Sequence, residues 1–136
     1  YIRTVKLQYE ADNETIPDRV AFVRLSNSTG KIAVYTRSNT LYLFTCNGVL
    51  LSKLSLNNQG IRKLSMMSIR RVRTFSISNE CIEEYLYYAG VGDCKVHVRS
   101  MTDFSLRQSF PIHAENTTLT IHSISFSESS DYIAFG

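Results

Sequence analysis

Three groups of residues in this 136-residue chain have types and spacings that invite a chemical reading. The first is Arg70-Arg71-Val72-Arg73, which with Lys63 nearby forms the densest positive cluster in the sequence. Cations this close together suit a solvated entry to a strand. They also suit a patch for acidic protein surfaces or anionic lipid heads, where each contributes about 1 kcal/mol at a charged membrane. Lys63, Arg70, Arg71 and Arg73 are therefore the candidate binding residues. The second group is titratable: His97, His113 and His122, with Asp93 in the turn Gly92-Asp93-Cys94. The histidines show no ligand spacing with Cys or Asp, no Gly-rich phosphate loop is present, and no nucleophile can be paired with a base from the sequence. These residues point to a chain with no catalytic residue, no cofactor and no metal. Asp93 is expected to accept backbone N–H bonds within its own turn, and His113 to pack or hydrogen-bond. The third group is Cys46, Cys81 and Cys94, an odd number without metal-type spacing, which fits reduced thiols in a cytosolic protein. Asn13-Glu14-Thr15, Asn27-Ser28-Thr29 and Asn116-Thr117-Thr118 match the glycosylation acceptor pattern, as Ser/Thr/Asn-rich loops often do by chance.

The elements that must position these residues read as strands. Val72 to Ser78 alternates, Tyr85 to Gly90 is an apolar run, and the Gly/Asp turn leads into Lys95 to Arg99. A second turn at Met101 to Asp103 precedes Phe104 to Phe110. Four short strand patterns separated by tight turns make an antiparallel meander, the unit of a β-propeller blade. Its opening pattern recurs as Val20/Val23/Leu25/Ser26, Val72/Phe75/Ile77/Ser78 and Ile121/Ile124/Phe126/Ser127. Lys31 to Val34 and Tyr132 to Phe135 each begin a second strand five residues after the Ser of their copy. Copies about 50 residues apart fall within the periods of propeller repeats.

The chain therefore reads as all-β, a fragment of a β-propeller with four-stranded antiparallel blades. A blade covers 20–56, an insertion 57–71, a second blade 72–110 and a partial blade 120–136. Residues 1–9 finish a preceding blade, and 10–19, with Pro17, form a loop. Asn47-Gly48 predicts a two-residue type I′ hairpin turn, because that turn needs positive φ at both positions. The eight tyrosines, Tyr85, Tyr87 and Tyr88 above all, are assigned to sheet packing. Since a blade depends on its neighbours, and the chain opens on Tyr1 and stops at Gly136 inside a repeat, a longer propeller is expected.

A net charge of +3 is too small to argue for nucleic acid. No apolar run approaches the roughly 20 residues that cross a bilayer, and no signal-peptide pattern opens the chain. Other proteins are the expected partners, with peripheral contact to anionic membrane through the basic cluster as the alternative. The rival from another class is an enzyme built on a propeller, with polar residues converging on its channel.

Two segments carry a likeness to a known family. Phe22 to Thr36 is followed by Leu41-Tyr42-Leu43-Phe44-Thr45-Cys46-Asn47-Gly48-Val49-Leu50-Leu51-Ser52-Lys53-Leu54. Leu86-Tyr87-Tyr88-Ala89-Gly90-Val91-Gly92-Asp93-Cys94-Lys95-Val96-His97-Val98-Arg99 is followed by Ile121 to Ser127. Over roughly residues 20–136 the chain resembles the C-terminal WD-repeat region of BEACH-domain proteins, the family of neurobeachin and the lysosomal trafficking regulator. Phe44-Thr45 and Arg99-Ser100 stand where WD repeats carry Trp-Asp, so that signature is degenerate here. In such repeats a His and a turn Asp join a buried hydrogen-bond network, and Asp93 and His113 occupy corresponding places. The resemblance implies a cytoplasmic, non-catalytic scaffold that binds proteins in vesicle trafficking and lysosome-related organelle organisation.

Overall fold

The computed structural model describes residues 4–75, 77–93, 95–112, 120–127 and 133–136. The chain is all-β, built mainly from antiparallel four-stranded sheets, and divides into two compact units, Tyr1–Gly60 and Ile61–Gly136. In the first unit β1 (Gln8–Ala11) and β2 (Glu14–Pro17) form a hairpin. A loop was expected there, but Asp12 and Asn13 adopt φ of 52° and 65° and so make the two-residue turn that needs positive φ twice. Then β3 (Val20–Leu25), β4 (Ile32–Thr36), β5 (Thr40–Phe44) and β6 (Leu50–Ser55) pair in chain order as one sheet.

Every residue of β5 and all of β4 but Ile32 are buried, as suits a run rich in Val, Leu and aromatics. On one face Val34, Tyr42 and Phe44 meet Leu7 and Ile32; on the other, Ala33, Leu41 and Leu43 are fully buried. The hairpin at Asn47-Gly48 is present but uses a different turn. Only Gly48 has positive φ, at 80°, with Gly48 N bonded to Thr45 O and Thr45 N to Val49 O. Three residues therefore close the loop, ending on a left-handed glycine. A short 3-10 helix, Leu56–Gln59, buries Leu56 and bonds Leu56 N to Asn39 O.

In the second unit β7 (Leu64–Phe75), β8 (Glu80–Gly90), β9 (Lys95–Ser100) and β10 (Leu106–Pro111) form the second four-stranded meander. β11 (Ile124–Phe126) and β12 (Ile133–Phe135) pair as a further hairpin. That hairpin covers one face of the second sheet. Ile124, Phe126 and Ile133 pack on the buried cluster that holds Met66, Tyr87, Ala89, Val96 and Val98, and Phe126 meets the Tyr87 ring edge-on at 4.9 Å.

The predicted insertion 57–71 is corrected here, because Leu64 to Arg71 already belongs to β7. The buried half of the strand is Leu64, Met66 and Met67, whose apolar side chains outcompete the later alternation for the core. Phe75 is 79% exposed, Ile77 lies fully exposed beyond the strand, and the acidic stretch Glu80–Glu84 ahead of the apolar run is already strand. In the first copy of the repeat Val20, Val23 and Leu25 are also exposed, so there the motif marks an edge strand approaching its hairpin turn rather than the core. Tyr87 and Tyr88 do pack within the sheet. Cys94, His113, Asn116 and Tyr132 lie outside the described residues.

Candidate interaction surface

Strand length creates an exposed projection in the second unit. β8 pairs with β7 along all of β7 but joins β9 only from Tyr85 onward. Residues 71–75 and 80–84 therefore run on as a two-stranded arm beyond the four-stranded part of the sheet. Phe75 and Ile82 on the arm and Ile77 in its turn are all exposed. Alternation then sorts the arginines, since successive side chains in a strand point to opposite faces. Arg70 turns to the face that β11 covers, where its Nη1 donates to the Tyr87 hydroxyl at 2.9 Å. Its guanidinium lies 5.8 Å from the Tyr87 ring centre and 5.2 Å from that of Phe126. Arg71 and Arg73 emerge together on the opposite face, both exposed, with Arg73 Nε 3.5 Å from Glu80 Oε1.

The structure thus does not assemble the four predicted cations. Lys63 precedes β7 at its other end, its carbonyl taking the Val91 N–H, and roughly 25 Å of strand separates it from Arg71. Strand alternation removes Arg70 from the remaining three. Across the ribbon Arg71 faces Glu84, Val72 faces Glu83 and Phe75 faces Glu80. The arm's two arginines, Arg71 and Arg73, stand among three glutamates, Glu80, Glu83 and Glu84, so it presents no net positive field of the kind that draws a protein to anionic lipid.

Polar networks brace the turns of both sheets. In the first, Asp18 reaches the turn between β4 and β5. Its Oδ1 accepts the Ser38 N–H at 3.2 Å, and its Oδ2 accepts the Ser38 hydroxyl at 2.6 Å and the Tyr42 hydroxyl at 3.5 Å. Thr36 and Thr40 hydroxyls each lie 3.0 Å from Ser38 Oγ and complete the cluster. Burial foremost, then the Asp18 charge and hydrogen bond, raises the Tyr42 pKa above its usual 10.0.

In the second sheet Asp93 Oδ2 lies 3.1 Å from His97 Nε2, and His97 Nδ1 lies 2.9 Å from Ser109 Oγ. The His97 ring stacks on Tyr88 at 5.2 Å. Asp93 was expected to hold backbone N–H groups of its own turn; its carboxylate instead holds the histidine four residues on. Beside it the buried Arg99 donates from Nε to the Tyr88 hydroxyl and from Nη1 to the Phe104 carbonyl, each at 2.8 Å. Burial raises the Tyr88 pKa, while Arg99 pulls the other way.

Serine, histidine and aspartate in hydrogen-bond series is the arrangement that activates a nucleophile. The sequence showed no such trio because Ser109 and His97 meet only through the pairing of β10 with β9. As directly opposed cross-strand partners, the two residues also suit a brace between β9 and β10.

In the first unit, a cavity of about 310 Å³ is lined chiefly by Val5, Leu7, Ile32, Val34 and Phe44, with Cys46 at its border. Cys46 and Cys81 are free and exposed. Among the described residues no group of His, Cys, Asp or Glu could hold a metal ion, and no helix is long and apolar enough to cross a membrane. No protein-family model, curated protein or solved structure matches this chain.

Proposed function

We propose that the chain is part of a WD-type β-propeller that works as a non-catalytic protein-interaction scaffold, in the vesicle-traffic setting that its resemblance to BEACH-domain proteins implies. The observation that carries the reading is the repeated meander. Two four-stranded sheets follow one another along the chain, and the β11–β12 hairpin lays its apolar face on the second sheet, as blades must do to bury a surface they cannot bury alone. The braces at Asp18 and Asp93 fit the same reading, each tying a turn to a neighbouring strand as the His and Asp of such repeats do. Rigid sheets then present variable loops, here the arm, to partners. A photo-cross-linking amino acid at position 77 in the full-length protein tests it. Protein adducts formed at 77, and absent when the cross-linker stands at exposed Thr102, support the scaffold; no adduct at 77 overturns the arm as its gripping surface.

One observation favours a second reading, a propeller-based enzyme: the Ser109, His97 and Asp93 series. A serine-directed fluorophosphonate that labels the chain, and no longer labels it after Ser109→Ala, would carry that reading. An unlabelled Ser109 retires it.

A further inference from the structure

The two four-stranded sheets have four outer edges, and three of them are blunted. β3 has a register shift between Val20 and Phe22 that leaves only Phe22 to Leu25 in regular pairing. β6 carries Lys53, and a register shift interrupts its pairing at Leu43 and Phe44. β10 is irregular between Leu106 and Gln108 and ends in Pro111. Bulges, lysines, prolines and short strands are how sheets refuse another strand. β7 differs from all three. Its one register shift lies near its start, between Leu64 and Met66, and from Met67 to Phe75 it pairs with β8 without interruption and without Pro or Lys. On its outer side no other strand of the described residues is hydrogen-bonded.

We infer that the outer edge of β7 between Arg71 and Phe75 receives an extended segment of a partner protein as an added strand, one that alternates acidic, apolar and acidic residues. This rests on the scaffold reading and names its partner. Backbone pairing would supply the affinity and the alternating side chains the choice of sequence, as in strand addition generally. The required alternation follows from the face each β7 side chain occupies. Arg71 and Arg73 share one face and are exposed, so carboxylates two residues apart on the added strand would stand opposite them. Val72, half-buried on the other face, asks for an apolar residue between those carboxylates.

The arm's three glutamates do not cancel this preference. An added strand lies about 4.8 Å from β7 but about 10 Å from β8, beyond a screening length of about 8 Å at physiological salt, so the arginines dominate there. The opposite edge is less available. Beyond Glu84 the outer side of β8 is taken by β9, and Glu83 is already engaged by the Tyr85 hydroxyl.

The test uses the full-length protein and a labelled peptide with a central Glu-Val-Glu, followed by fluorescence anisotropy. Arg71→Gln with Arg73→Gln should weaken binding roughly three- to tenfold, the value of two exposed cross-strand charge pairs. Arg71→Glu with Arg73→Glu should lose that peptide and gain one bearing Lys-Val-Lys, a swap that a misfolded variant could not show. N-methylation of alternate peptide amides should abolish binding, because an added strand needs those donors. Four results would overturn the inference: no binding, binding indifferent to both arginine pairs, binding that survives N-methylation, or concentration-dependent self-association that occupies the edge in place of the peptide. Cross-linking at position 77 that persists while the peptide fails would refute this partner and leave the scaffold standing; loss of both would remove the two together.

Discussion

In the first sheet the turn between β4 and β5 is held by a carboxylate that comes from outside the sheet, whereas in the second the turn between β8 and β9 supplies the carboxylate itself. Asp18 grips Ser38 and Tyr42, 20 and 24 residues later, and so fastens the chain ahead of β3 to the middle of the sheet. Asp93 grips His97 only four residues on, and the reach to β10 is left to the imidazole and Ser109. Equivalent turns thus carry opposite arrangements: one brace closes a long loop, the other stiffens a local one. The difference teaches that a repeat can keep the position of a polar brace while its residues change type and origin, which hides the repeat from motif matching.

The harshest way to break the comparison is to damage the two sheets equally at their centres. Leu43 and Leu86 are both fully buried, and Leu43→Ala or Leu86→Ala should each cost about 2–5 kcal/mol in urea unfolding. Phe75→Ala, at a site 79% exposed, should stay within about 0.5 kcal/mol. A smaller, more telling effect should separate the braces. Asp18→Ala strands the Ser38 amide, while the Ser38 hydroxyl keeps Thr36 and Thr40, and should cost about 1–3 kcal/mol, with faster hydrogen exchange at Ser38. Asp93→Ala removes one contact to a ring that keeps Ser109 and Tyr88, and should cost about 1 kcal/mol or less. Equal losses would mean that the origin of the carboxylate is irrelevant.

The first sheet was legible because each strand is bounded by a turn whose residues announce it. Asn27 to Gly30, Arg37 to Asn39 and Asn47-Gly48 bracket runs of Val, Leu and Tyr at the spacing a meander needs. The second misled at its start. Leu64, Met66, Met67 and Ile69 alternate poorly, since a strand buried on both faces loses its period of two. The cleaner alternation at Val72 to Ile77 belongs to the arm, where no core enforces it. Arg70 and Asp93 show the same limit at the candidate site. Their types and turn placement could be read, but their partners Tyr87 and His97 follow from strand register and side-chain direction. The Asp12-Asn13 turn was within reach, since both residue types tolerate positive φ, but the polar run around it resembled an ordinary loop.

The two tyrosines that belong to the braces sharpen the contrast through pH. Tyr42 and Tyr88 both have folded pKa values above 10.0, so the fold favours their neutral forms. That stabilisation is complete below the unfolded value of 10.0 and is lost as pH rises through the higher folded values. The causes differ, and so should the mutants. Asp18→Asn removes the charge beside Tyr42, so one tyrosinate absorbance step at 295 nm should move down toward the ordinary range while the Tyr88 step stays in place. A shift of both steps, or of neither, would contradict separate braces.

The smallest effect belongs to the arm. Arg73 and Glu80 are 3.5 Å apart with side chains about half exposed, so solvent screens their attraction and Arg73→Ala should change stability by less than about 1 kcal/mol. High salt should erase even that, while leaving the Asp18 and Asp93 differences largely intact because those groups are more buried. The same substitution should still weaken the acidic peptide at β7. A side chain that matters little to folding and measurably to binding is what separates a surface kept for a partner from the braces that hold the sheets.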